Sequence, residues 1–98
     1  NGLAIVGRNV RSRHGEIDLV ARDGATLVFV EVRLRRSGSH GGAAGSISAA
    51  KRSRLVAAAR EYLARLSHTP DCRFDVVLLD GLDPKRVEWL RSAFDADD

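Results

Sequence analysis

The stretch "GEIDLVARDGATLVFVEVRLRR", Gly15 to Arg36, constrains this chain more than any other. Two β-rich runs, "GEIDLVA" and "ATLVFVEVRLR", flank "RDG", and Asp-Gly between such runs is the strongest short hairpin signal a sequence carries. The two strands so defined hold three acids, Glu16, Asp18 and Glu31. Side chains alternate along a strand, which places Glu16, Asp18 and Val20 on one face and Ile17, Leu19 and Ala21 on the other. On the second strand Leu27, Phe29, Glu31 and Arg33 share a face. The register then decides what the acids meet. A two-residue turn at Asp23-Gly24 sets Asp18 diagonal to Glu31, a four-residue loop sets them directly opposite, and a three-residue loop with its bulge separates them.

Neighbouring carboxylates repel, so such a pair requires a compensating cation. The residues offer two solutions. One is a salt-bridge cluster, with Arg33 or another arginine such as Arg13 as the counter-charge. The other is a divalent metal: two carboxylates with water are hard oxygen ligands of the kind Mg²⁺ or Mn²⁺ accepts, and such an ion supplies hydroxide and charge stabilisation for phosphoryl chemistry. Zinc is a poor choice where no His or Cys is among the ligands.

Around the hairpin the chain reads strand, hairpin, helix, strand, helix, which indicates a mixed sheet with helices packed on it. "LAIVGRNVRSR" starts apolar and continues with alternating basic residues, as a half-exposed strand does. Residues 37–46, "SGSHGGAAGS", read as a mobile loop; the glycines lack the following Lys-Ser/Thr of a phosphate-binding loop. Leu55, Ala59, Tyr62, Leu63 and Leu66 form the stripe of an amphipathic helix capped by Ser48 and running to about Leu66. "CRFDVVLLD" is a buried strand, and "GLDPKRVEWLRSAF" reads as a closing helix with Asp83 as N-cap, Pro84 in its first turn, and Trp89 and Phe94 in the core.

At 98 residues there is room for one domain, residues 1–98, and one modest core. The absence of methionine suggests a processed or cut chain. One cysteine, Cys72, excludes an intrachain disulfide and a thiolate zinc site, and general packing statistics make it buried and inert. No apolar run reaches the ~20 residues of a membrane span, so the expectation is a cytoplasmic protein without membrane attachment. The net charge of +3 is unevenly spread, with ten of the 16 basic residues between Arg8 and Arg54 and "DADD" at the end, which favours a polyanion partner.

These residues carry a resemblance. Asp18 followed by Glu31-Val32-Arg33 on a strand is similar to the Asp…(Asp/Glu)-x-Lys pattern of restriction-endonuclease-like nucleases. More specifically, "RSRHGEIDLVARDGATLVFVEVRLRRS", "SAAKRSRLVAAAREYL" and "CRFDVVLLD" resemble the YraN family of bacterial proteins, over nearly the whole chain. The resemblance implies an α/β restriction-endonuclease-like fold, a mixed central sheet flanked by helices, related to archaeal Holliday-junction resolvases. It implies an N-terminal helix bearing a Glu that precedes the first residue here. It further implies a Mg²⁺- or Mn²⁺-dependent nuclease or nuclease-derived DNA-binding protein, acting on DNA with branched DNA among the candidate substrates, and a homodimer is expected for junction cleavage. Asp18, Glu31 and the Val32 main chain would hold the metal, Glu16 would be outer-shell or structural, and Arg33 and Lys51 would contact the scissile phosphate. Arginine at 33 departs from the nuclease lysine: it contacts phosphate but does not act as a general base.

Lys51 and Arg52 fall in the first helical turn, leaning toward the sheet, where the helix macrodipole disfavours cations and so raises the case for a function. Arg54, Arg60 and Arg65 lie farther round, on a solvated face. Arg11, Arg13, Arg35 and Arg36 flank the hairpin and, with Arg52, are candidate phosphate contacts. His14, His40 and His68 share no site. The competing readings are a DNA-binding module without cleavage and a protein-interaction domain on the same fold, since function resides in the site and not in the fold.

Overall fold

In the computed structural model, which describes residues 2–35, 47–80 and 85–94, the strands form one sheet in the order β1-β2-β3-β4-β5. β1 is Ala4–Ser12, β2 Gly15–Asp23, β3 Thr26–Arg35, β4 Cys72–Asp80 and β5 Val87–Phe94, with one helix, α1, at Ala49–Leu63. The β1–β2, β2–β3 and β4–β5 pairs are antiparallel, and β3–β4 is parallel. Parallel neighbours need a long crossover, and α1 lies within that connection. The mixed α/β architecture read from the sequence is therefore present. The loop 37–46, Arg36, His40, Asp83 and Pro84 lie outside the described residues.

The hairpin forms, one residue later than the Asp-Gly position suggests. Asp23 pairs with Thr26, so the turn is Gly24-Ala25, with Gly24 at φ +61°, a left-handed conformation that glycine enters without a Cβ clash. This register is the one that sets residue 18 opposite residue 31.

α1 begins as read. Ser48 Oγ accepts the Lys51 N–H at 3.1 Å, capping the helix start. The helix ends at Leu63 and not near Leu66, whose side chain is exposed and gains nothing from continuing. Leu55, Val56, Ala58 and Ala59 are buried against Ile17, Val20, Leu27, Phe29, Phe74, Val76, Leu78 and Phe94 on one face of the sheet. Rings run across that face: Phe29 stacks on Phe74 at 5.6 Å, Phe74 on Phe94 at 4.9 Å, and Tyr62 of α1 meets Phe29 edge-on at 5.8 Å. Ala21, Val28, Val30 and Val77 form a second apolar cluster.

The closing helix is a correction: Val87–Phe94 is strand β5. Leu90, Ala93 and Phe94 all reach the α1-side core, and their i, i+3, i+4 spacing imitates a helix. A bulge produces it. Val76 pairs with Leu90 and Phe74 with Phe94, so Arg91, Ser92 and Ala93 stand opposite Asp75 alone, with Ser92 at φ +50°. Asp75, fully buried, fastens the bulge. It accepts the Ser92 N–H at 3.0 Å and the Trp89 Nε1–H at 2.8 Å, and it is bridged by Arg73 Nε at 3.1 Å. Arg73 also reaches Asp23 at 2.8 Å, which draws the Asp23 carboxyl below its ordinary range. Asp75 and Asp23 in turn hold the guanidinium more firmly protonated. Trp89 is accordingly half-buried on β5, and Phe94 is core as read. Cys72 is a second correction, since it is exposed: it shares strand parity with the core residues Phe74 and Val76 but stands at the very start of β4, at the margin of the sheet. Partial desolvation and then the nearby Asp71 push its thiol up, so it stays protonated.

Candidate active-site cleft

The acids meet where two strands part. β2 pairs with β3 only from Asp23↔Thr26 to Leu19↔Val30, while β1 follows β2 to its end and β4 follows β3 to Arg35. Beyond Leu19 the backbone ladder is replaced by a side chain: Asp18 Oδ2 accepts the Val32 N–H at 2.9 Å. The alternation read for β2 fails at the same place. Leu19 and Ala21 belong to the second cluster, but Ile17, expected beside them, joins Val20 in the α1-side core, because the strand turns as it leaves its neighbour.

The first turns of α1 stand at this opening. The result is an open cleft of about 230 Å³, lined by Gly15, Glu16, Asp18, Glu31, Lys51, Arg54 and Leu55. Glu31 lies at its base and is 3% exposed, in line with Leu27 and Phe29 on the core face of β3. Its carboxylate is met by Lys51 Nζ at 2.7 Å, with Arg33 NH1 more distant at 3.9 Å. Burial pushes the Glu31 carboxyl above its ordinary value, the hydrogen bond from Lys51 opposes that rise, and the adjoining Asp18 adds to it. The principal counter-charge is thus Lys51 and not the strand's own arginine.

Of the residues singled out in the sequence, Asp18, Glu31, Glu16 and Lys51 come together in the cleft, with Val32 bonded to Asp18 and Arg33 beside Glu31. The basic residues divide. Arg11 pairs across the strands with Glu16 at 3.5 Å and is highly exposed. Arg13 is equally exposed, but its main-chain N–H reaches Glu61 at 3.2 Å and its guanidinium lies 3.7 Å from the same acid, tying the β1–β2 turn to α1. Arg52 donates to the Ile47 carbonyl at 2.8 Å and does not line the cleft. Arg35 ends β3, its side chain outside the described residues, as is Arg36 altogether. His14 and His68 are exposed and outside the cleft lining. Arg60 is exposed and Arg65 pairs with Glu61, as a solvated face requires, but Arg54 stands at the cleft. Sequence reasoning passed it over, although it is one helical turn from Lys51 and therefore on the same side.

Comparison with known proteins settles the family. Residues 1–79 match the model described as uncharacterised protein family UPF0102. The chain belongs to this family. It is 60% identical over 98 residues to a UPF0102 protein of Cupriavidus taiwanensis, covering 98% of this chain and 72% of the relative. It is 54% identical to one of Nitrosospira multiformis, covering 95% and 78%, and 52% identical to one of Methylobacillus flagellatus, covering 97% and 83%. The YraN resemblance is thereby shown, and the UPF0102 sheet agrees with a restriction-endonuclease-like α/β fold. Among the described residues no helix is long and apolar enough to cross a membrane.

The donor set in this UPF0102 cleft can be weighed against a metal. Among the described residues no group of three or more His, Cys, Asp or Glu side chains is placed to hold an ion. Two carboxylates remain, Asp18 and Glu31, and Mg²⁺ commonly takes one or two carboxylates and fills its shell with water and phosphate oxygens. Asp18 adjoins the buried Glu31 and helps raise its carboxyl, and a hard cation fits such a pair of neighbouring carboxylates.

Proposed function

We propose that this protein is a Mg²⁺- or Mn²⁺-dependent nuclease, or a nuclease-derived protein, that acts on DNA. The observation that carries the reading is the buried Glu31 beside Asp18 at the base of an open cleft, with a lysine ammonium 2.7 Å away. The cleft, open and about 230 Å³, has room for a phosphodiester group with its hydration. Asp18, Glu31 and the Val32 main chain would hold the ion, which when bound supplies an activated water and Lewis-acid stabilisation of phosphoryl charge.

The chain's own residues have separable tasks. Asp18, fixed by the Val32 N–H, presents its second oxygen to the cleft. Glu31 is held by burial and by the Lys51 ammonium. Lys51 supplies the ammonium that strand position 33 lacks, a compact point charge on a flexible stem, whereas the planar guanidinium of Arg33 is suited to contact phosphate. Arg11 and Arg13, exposed beside the β1–β2 turn, extend the positive surface along the DNA backbone.

The test is cleavage of four-way-junction, flap and linear DNA by the full chain with Mg²⁺ or Mn²⁺, with Asp18→Asn as control. Cleavage that is lost in the variant supports the reading. Binding without cleavage would replace it with a DNA-binding module, and neither binding nor cleavage would leave the protein-interaction reading.

A further inference from the structure

The charges lining the cleft do not balance pairwise. Glu16 is met by Arg11, Glu31 by Lys51, and Asp18 takes the Val32 N–H. Arg54 lines the same cleft, and among the described residues no acid pairs with it. Leu55, buried next to it, fixes this turn of α1 against the sheet, so the Cα of Arg54 is held at the lip while its guanidinium remains exposed. A second observation concerns the helix start. The first turn of α1 contains no acid and holds Lys51 and Arg52, and Arg54 follows in the second turn. The positive end of the helix dipole makes the two first-turn cations mildly unfavourable. Lys51 and Arg52 are offset by Glu31 and by the Ile47 carbonyl. Arg54, one turn from Lys51 at the same cleft, has no acid paired with it among the described residues, and an anionic ligand would provide the counter-charge.

We infer that Arg54 is the phosphate anchor of the cleft, gripping a backbone phosphate of the bound DNA at the helix-side lip. The inference rests on the DNA reading above and adds a residue that positions the strand without touching the cation. Lys51 and Arg54 are three residues apart, about 4.5 Å along the helix axis. One strand of a duplex presents a phosphate about every 3.4 Å of its axis. Arg54, one helical turn beyond Lys51 in the cleft lining, is placed to meet a phosphate next along the strand from one at Asp18 and Glu31. The planar guanidinium offers two parallel N–H donors to that phosphate, which an ammonium does not.

The experiment is equilibrium binding of a fluorescent duplex and a fluorescent four-way junction to the full chain, across a salt series with Ca²⁺ in place of Mg²⁺. Arg54→Gln, Arg54→Lys and Arg60→Gln are compared, the last being an exposed arginine of the same helix away from the cleft. Gln and Arg have similar helix propensity, so Arg54→Gln keeps the thermal midpoint of the wild type. It should weaken binding by about tenfold or more and reduce the slope of log K against log salt by about 0.9, one phosphate contact. Arg54→Lys should retain most of the slope and lose part of the affinity, while Arg60→Gln should match wild type. Wild-type binding with Arg54→Gln indistinguishable from Arg60→Gln overturns the anchor and leaves the DNA reading standing. No binding by wild type overturns the DNA reading, and the anchor with it.

Discussion

Replacing Lys51 by Met removes the ammonium 2.7 Å from Glu31 while keeping a flexible chain of similar length at the cleft. At that distance an effective dielectric of ~20 gives an attraction of about 6 kcal/mol, which is a ceiling. Lys51 is 39% exposed and therefore screened, and Glu31 escapes part of the penalty by taking a proton. Exposed pairs contribute about 0.2–1 kcal/mol and breaking fully buried ones costs about 3–5 kcal/mol, so a pair buried on one side should fall near 2 kcal/mol. Urea denaturation of wild type, Lys51→Met, Glu31→Gln and the double variant isolates that coupling. The cost should depend on pH. The Glu31 carboxyl already sits above its ordinary 4.5 in the folded protein, and loss of Lys51 raises it further. A raised carboxyl binds its proton more tightly in the folded than in the unfolded state, so stability falls as pH rises from 4.5 to the folded pKa and is level above it. Lys51→Met extends that window upward, and its cost should nearly vanish below about pH 4.5. A coupling under about 0.5 kcal/mol, or a cost that does not change with pH, would refute Lys51 as the counter-charge of a buried carboxylate.

Three further outcomes follow from the same geometry. Asp75→Ala should cost about 3–5 kcal/mol by urea denaturation, a large part of a small domain's stability, because it leaves the Arg73 guanidinium with Asp23 alone and the Trp89 and Ser92 N–H donors without their acceptor; a cost below 1 kcal/mol would show the bulge is held by something else. Trp89→Phe, which removes one donor and keeps most of the ring, should cost only about 1 kcal/mol on the same measure. Ser48→Ala should cost about 1 kcal/mol through the lost cap on the Lys51 N–H, seen as faster amide exchange in the first turn of α1.

Much of the fold was legible because local signals agreed with tertiary packing. The two runs about Asp23-Gly24 had strand composition and a turn residue able to take positive φ, and only the turn's position slipped by one. Ser48 and the stripe of α1 were legible for the same reason, and Glu31 betrayed itself as an acid in an apolar strand. Strand β5 was not legible. Its bulge puts Leu90, Ala93 and Phe94 on one side, and the choice between helix and strand was made by Asp75, whose bonds to Trp89 and Ser92 span 14 and 17 residues. In the site, an odd register placed Asp18 with Glu31 as argued, but the cation that answers them comes from α1. No periodicity in β3 could rank Lys51 above Arg33, because the ranking depends on where a crossover helix lands. Arg54 was missed because exposure on a helix was equated with distance from the site.

The central claim, that Asp18 and Glu31 form a divalent-cation site, is tested most directly at the Val32 amide, whose N–H bonds Asp18 Oδ2 at 2.9 Å. Titrating Mg²⁺ into ¹⁵N-labelled protein should move the Val32 resonance saturably and among the largest of all amides, and Asp18→Asn should abolish that shift. A Val32 amide that stays in place at millimolar Mg²⁺, or moves equally in Asp18→Asn, would contradict the account.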